Sequence, residues 1–306
     1  VGICLPGEMT CYKGTWGNYY DDGTGDVFID NLCLDEVTPE EKDACNGADD
    51  NCDGIVDDGK EMEDTDILFI VDWSGSMADE IQAVLIALNM FATNYSDKDV
   101  IKWGLLVGPE YFFPTGPGWP VEYLNLITNP VGFQQFIGQL ASMSLSVQGS
   151  REMLYDAVYL SIWNLVPLSD LPWIPNKLDW KTNITYVDST PSLGNFKITW
   201  REDAHRVIII FTDEDGQSYL HKEVQPGNFE KGITQEELLE AISYADDLNI
   251  YTFTPETFKN KVLWNGKKVG WEPLTQYAGK WYKLTNNAAI IYENLLDILD
   301  ETACGE

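Results

Sequence analysis

The chain has 306 residues, with 50 Asp or Glu against 19 Lys or Arg and a net charge of −31. That sign excludes a general nucleic-acid binder and opposes docking on anionic membranes. An apolar content of 44% is that of a globular protein with one large core and a small appendage, and no apolar stretch reaches the length of a membrane span.

The first 62 residues differ from the rest. They are rich in Gly, Asp and Cys and poor in apolar runs. Cys4, Cys11, Cys33, Cys45 and Cys52 fall here, and Cys304 stands apart near the other end. An even cysteine count in a loop-rich segment points to disulfides and an oxidising compartment. Chain termini often lie close together, so Cys304 is expected to bridge back to this segment. Asp49, Asn51 and Asp53 are spaced by two, with Gly54 next, a carbonyl position at Ile55 and Asp57 after it. Oxygens at positions 1, 3, 5, 7 and 9 with Gly at 6 follow the logic of a calcium loop. Lys60 stands where a full EF-hand has its bidentate Glu. The expectation is therefore a smaller Ca²⁺ loop, against the plainer reading of an acidic linker stapled by Cys45 and Cys52.

From residue 63 onward, buried-strand runs alternate with helix-period segments. Strands are predicted over 65–72, 99–107, 122–128, 205–212, 248–253 and 280–284. Helices are predicted over 78–95, 130–141, 151–164, 235–247 and 288–301. This alternation predicts an α/β fold, Rossmann-like, with a mostly parallel sheet and helices on both faces. Four stretches read as insertions. The first, 108–121, holds Tyr111, Phe112, Phe113 and Trp119. The second, 167–203, is expected to carry a hairpin around 185–187 and 197–199. The third is 214–232. The fourth, 258–271, brings Lys259, Lys261, Lys267 and Lys268 together. The first, third and fourth leave the upper ends of strands and should surround whatever site lies there.

The most informative segment is Asp72-Trp73-Ser74-Gly75-Ser76. It follows the apolar run Ile67-Leu68-Phe69-Ile70-Val71, which reads as a buried parallel strand. Asp72, Ser74 and Ser76 therefore lie at a strand's carboxyl end, where open α/β sheets place ligands. One carboxylate and two hydroxyls are hard oxygen ligands, suited to Mg²⁺ or Ca²⁺ rather than zinc or copper. The plainer reading is a serine-rich helix cap.

This motif and its setting resemble a von Willebrand factor type A domain with a metal-ion-dependent adhesion site, over roughly residues 63–301. The resemblance implies two further ligand segments. Gly149-Ser150-Arg151-Glu152 supplies Ser150, where the family usually has Thr, with Ser142, Ser144 and Ser146 as competitors. Val207-Ile208-Ile209-Ile210-Phe211-Thr212-Asp213 supplies Asp213. The sequence there continues Glu214-Asp215, more acidic than the family's Thr-Asp-Gly, and Asp215 is expected to add an outer contact. The segment from Cys45 to Asp58 resembles a Cys/Asp-rich metal-binding repeat of secreted bacterial proteins, with residues 18–32 as an insertion. The expected domains are thus 1–62 and 63–306.

Two carboxylates and three neutral hydroxyls leave a divalent cation unsaturated. The resemblance implies that a protein partner's Asp or Glu carboxylate fills the open position. The expected function is an extracellular, cation-dependent protein-binding or adhesion module. The alternative is a metal-stabilised structural subunit of a surface assembly, such as a filament, virion or surface layer, with neighbouring subunits as partners. Membrane insertion and nucleic acid are not expected. Neither is catalysis: His205 and His221 are the only histidines, and no phosphate loop or zinc-protease motif is present.

Overall fold

The computed structural model describes residues 10–12, 15–21, 26–30, 62–96, 98–107, 119–121, 123–142, 154–162, 165, 184–186, 198–218 and 233–303. The chain divides into two units, Val1–Met62 with Leu299–Glu306, and Glu63–Ile298.

In the first unit β1 (Thr10–Tyr12), β2 (Thr15–Asp21) and β3 (Asp26–Asp30) form an antiparallel sheet in the order β1-β2-β3. The stretch expected as an acidic insertion is thus largely strand. The aromatic and β-branched residues of Thr15–Tyr20 and Val27–Ile29 outweigh the acidic ones between them. The expected calcium-loop residues Asp49, Asn51, Asp53, Ile55 and Asp57 lie outside the described residues, as does the pairing of the cysteines.

The second unit runs β4 (Thr65–Val71), α1 (Ile81–Asn94), β5 (Ile101–Val107), β6 (Trp119–Val121), β7 (Tyr123–Ile127), α2 (Pro130–Ser142), α3 (Leu154–Ile162), β8 (Ile184–Tyr186), β9 (His205–Phe211), α4 (Gln235–Ser243), β10 (Leu248–Thr254), a single turn α5 (Glu256–Lys259) and β11 (Trp281–Lys283); α6 (Ala288–Ala303) follows. The main sheet has six strands in the order β11-β10-β9-β4-β5-β7. All neighbours are parallel except β7, which lies antiparallel on β5 at the edge. This is the α/β architecture read from the sequence.

Every residue of β4 is buried, which explains why it reads as an unbroken apolar run rather than an alternating one. Its side chains still alternate between two helical layers. On one side Phe69 meets Phe91 of α1 edge-on at 6.4 Å and Phe133 of α2 at 5.6 Å. On the other, Leu68 and Ile70 join a core with Leu154 and Val158 of α3 and Leu238 and Ile242 of α4. Helix α4 starts on a complete capping box: Thr234 Oγ1 accepts from Glu237 N at 3.1 Å, and Thr234 N donates to Glu237 Oε2 at 3.0 Å.

One local expectation is not met: among the described residues, 184–186 and 198–199 do not pair as the hairpin expected around 185–187 and 197–199. Strand β8 instead pairs in parallel with β6, Trp119 opposite Ile184. Thr199 turns to β7, its backbone N donating to Asn125 Oδ1 at 3.0 Å. At the amino ends of the strands, Arg201 donates from Nε and its backbone N to the two oxygens of Asp66, at 2.7 and 2.6 Å. Its Nη1 pairs with Asp64 at 2.8 Å, and its Nη2 reaches the carbonyls of Thr65 and Val100. Asp66 is fully buried within an apolar strand, and this guanidinium satisfies it.

Candidate cation-binding site

Strands β4 and β9 are neighbours, with Val71 opposite Phe211. Beyond them the chain leaves in opposite directions, from β4 to α1 on one face and from β9 towards α4 on the other. Such a divergence opens a crevice at the carboxyl ends of parallel strands. Asp72 and Asp213 stand there, one just past β4 and the other two residues past Phe211.

The backbone sets Asp72 by donating from its N to Phe211 O at 2.9 Å. Both carboxylate oxygens are used. Oδ1 accepts from Ser74 N at 2.9 Å, closing a local turn. Oδ2 accepts from Thr212 Oγ1 at 2.7 Å, across the seam between the two strands. Thr212 Oγ1 also accepts from Glu214 N at 3.0 Å. A second chain of bonds runs through the serines. Ser76 Oγ donates to Asp213 Oδ1 at 2.9 Å, so in the 2.8 Å contact between Ser74 Oγ and Ser76 Oγ it is Ser74 that donates.

Four of the five ligands expected for this site, Asp72, Ser74, Ser76 and Asp213, therefore belong to one hydrogen-bonded group. The fifth, Ser150, lies outside the described residues, as do Ser144 and Ser146. Ser142 ends α2 and donates to Gln139 O at 2.6 Å. Asp215, expected to add an outer contact, has two partners of its own. It accepts from Gln217 Nε2 at 2.6 Å and pairs with Lys261 at 3.0 Å. Thr212 is the neighbour of Asp72 whose part in this group the sequence reading missed. Its position at the end of an apolar strand, directly before Asp213, was the available signal.

The electrostatics of the group are unbalanced. Burial pushes the Asp72 carboxyl up to about 7, against the opposing hydrogen bonds from Thr212 and Ser74, and the nearby Asp213 charge pushes it further. Asp213 is raised by burial. Glu214 is raised by burial and then by Asp213 and Asp215, with Lys261 opposing. Glu80 is raised by burial and then by Asp213 and Asp79. Among the described residues, the groups that favour the Asp72 charge are hydroxyl and backbone donors, not a basic side chain. Among the described residues no three His, Cys, Asp or Glu side chains converge. The set that does converge, two carboxylates and two hydroxyls, is all hard oxygen and fits Mg²⁺ or Ca²⁺.

No known protein family matches the chain, and no curated protein matches it. Among solved structures it is similar to the pilus adhesin SpaC from Lactobacillus rhamnosus GG in its open conformation, at 11% identity and a TM-score of 0.45, covering 79% of this chain and 30% of that one. It is also similar to proximal thread matrix protein 1 from the mussel byssus, at 12% identity and a TM-score of 0.41, covering 79% of this chain and 49% of that one. The chain thus spans less than half the length of either protein.

Proposed function

We propose that the chain is a divalent-cation-dependent protein-binding module that works outside the cell, in adhesion or attachment. The observation that carries this reading is the hydrogen-bonded group Asp72, Ser74, Ser76 and Asp213 at the switch point of the sheet, with Asp72 buried and no basic side chain among the described residues to offset its charge. Burying a carboxylate without a positive partner is costly. A cation held by Asp72, Ser74, Ser76 and Asp213, with Ser150 as a further hydroxyl, removes that cost. Such an ion supplies an open position for an outside oxygen, and a partner's Asp or Glu carboxylate suits it by charge. The resemblance to von Willebrand factor type A domains points the same way. The cysteine-rich first segment supports an oxidising, extracellular setting. No described helix is long and apolar enough to cross a membrane.

The test is thermal unfolding with Mg²⁺, with Ca²⁺ and with chelator, on the wild type and on Asp72→Ala. A cation at about 100 times its dissociation constant stabilises the wild type by about 2.7 kcal/mol, and the variant loses that gain. Equal stabilisation of both proteins moves the cation to another site, and no stabilisation of either removes the reading.

A further inference from the structure

The chain that leaves Asp213 is held at every step. Glu214 O accepts from Trp271 Nε1 at 2.8 Å, and Glu214 N donates to Thr212 Oγ1 at 3.0 Å. Asp215 pairs with Lys261 at 3.0 Å. Gly216 N donates to Val269 O at 2.8 Å, and Gln217 O accepts from Tyr155 N at 3.0 Å. Ser218 Oγ donates to Asp156 Oδ1, and it accepts from Ile233 N at 2.8 Å. Asp213 and Glu214 are half-buried, and residues 215–218 are buried.

Glu214, Asp215 and Gly216 are all gripped by one stretch, 260–271. It forms a small hairpin in which Val262 bridges Lys268 in antiparallel fashion. Gly266 turns the chain at φ +83°, a conformation that other residues rarely adopt. Trp264 stands exposed at the tip, while Val269 and Trp271 at the root are fully buried. The Trp271 ring lies edge-on to Tyr155 at 5.2 Å. Tyr155 fills the space over Gly216, where an added Cβ would meet its Cε1 at 1.9 Å. Its hydroxyl donates to Gly270 O at 2.7 Å, and Gln235 Nε2 donates to the same carbonyl at 2.7 Å. Tyr155 belongs to the first turn of α3. Trp271 and Tyr155 thus tie the chain after Asp213 to the hairpin and to that helix together.

A loop that only covers a core needs burial, not a bond at each residue. Here the indole donor of a fully buried tryptophan is spent on the carbonyl directly after Asp213. Binding geometry holds only when the residues behind the ligands are themselves locked by packing and hydrogen bonds. Outer partners of metal ligands matter for the same reason, and losing one costs about 10–100-fold in metal affinity.

We infer that Trp271 is a positioning residue for Asp213, and that through it the root of the hairpin is coupled to the cation site. This rests on the cation reading and adds a means of regulating that site. Trp271 touches no cation. It acts through Glu214, whose carbonyl it holds, and through Tyr155, which packs on Gly216. Loosening the root therefore weakens cation binding. Coupling between two sites is reciprocal, so a bound cation tightens the root.

The experiment measures both directions on the full chain. Titration calorimetry gives the affinities of wild type, Trp271→Phe and Trp103→Phe for Mg²⁺ and for Ca²⁺. Trp271→Phe keeps a ring against Tyr155 and removes the donor to Glu214. Trp103→Phe is the control for lost packing: Trp103 is fully buried on β5 against Phe91 and Phe133, and its Nε1 donates to no described residue. Amide hydrogen exchange of the wild type, with cation and with chelator, reads the reverse direction. Trp271→Phe is expected to bind at least about tenfold more weakly, and Trp103→Phe to bind like the wild type. The cation should slow exchange at Gly216, Val269 and Trp271 while the ends of α2 exchange unchanged. A Trp271→Phe protein that loses no more affinity than Trp103→Phe overturns the proposal. So does a bound cation that leaves exchange at the root unchanged, a result that needs no variant and decides the matter even where Trp271→Phe fails to fold. A wild type that binds neither cation is a different outcome: it overturns the cation reading, and the coupling with it.

Discussion

Thr212 Oγ1 donates to Asp72 Oδ2 at 2.7 Å, joining residues 140 positions apart at the carboxyl ends of neighbouring strands. Asp72 is 1% exposed, and this bond is the largest of the influences that hold its charge against burial. The threonine thus acts on the site through the carboxylate it fixes.

Thr212→Val keeps the shape and removes the donor. A hydrogen bond to a charged group contributes about 1.5–3 kcal/mol, so the variant is expected to bind Mg²⁺ or Ca²⁺ at least tenfold more weakly. The direction with pH follows from the sign of the shift. Asp72 is already raised to about 7, and losing a donor that favours the carboxylate raises it further, so protons compete better with the cation. Titration calorimetry near pH 6 and near pH 8 should therefore find a larger deficit at the lower pH. A deficit independent of pH would mean that Thr212 acts only through packing.

The parts of the site legible in the sequence were those with a local signature. Buried central strands of a parallel sheet read as apolar runs, so β4 and β9 were visible, and so were the acidic residues that end them. The serines at 74 and 76 were visible by their spacing. What stayed hidden was long-range. Thr212 reads as one more strand former, because threonine suits a strand whether or not its hydroxyl has a task. Asp66 sits inside an apolar run, and its partner Arg201 lies 135 positions away. The parallel pair β6–β8 has no turn to announce it, since parallel strands are joined by long crossovers rather than tight turns. The hairpin carrying Trp264 was read only as a basic loop, because its turn geometry rests on Gly266 in an otherwise unpatterned stretch.

At the other end of the sheet, His205 lies between Glu63 and Asp247, its Nε2 against Glu63 and its Nδ1 at 3.2 Å from Asp247. Partial burial lowers its pKa, but the hydrogen bonds and charges of Glu63 and Asp247 together outweigh this and raise it above 6.5. A raised folded-state value means that the native protein holds its proton more tightly than the unfolded chain. The stabilisation is therefore complete below the unfolded value and is lost as pH rises through the folded one. Melting temperature followed from about pH 5 to 9 in chelator should show this decline, and His205→Gln should remove that component. A His205→Gln profile that overlays the wild type would show that the two carboxylates do not sense the imidazole.

Arg201 is the clamp that ties the segment entering β9 to the starts of β4 and β5. It neutralises fully buried Asp66 and caps the carbonyls of Thr65 and Val100. Removing one member of a buried pair leaves the other charged and unpartnered, which costs about 3–5 kcal/mol. Arg201→Met is expected to lose stability on that scale in denaturant unfolding, with the cation site about one strand length away left able to bind. Adding Asp66→Asn removes the stranded charge, so the double variant should recover part of the loss. Chemical denaturation of the wild type, the two single variants and the double variant gives the coupling directly. A double variant whose loss equals the sum of the two single losses would mean that Arg201 acts through its bonds to the Thr65 and Val100 carbonyls rather than through Asp66.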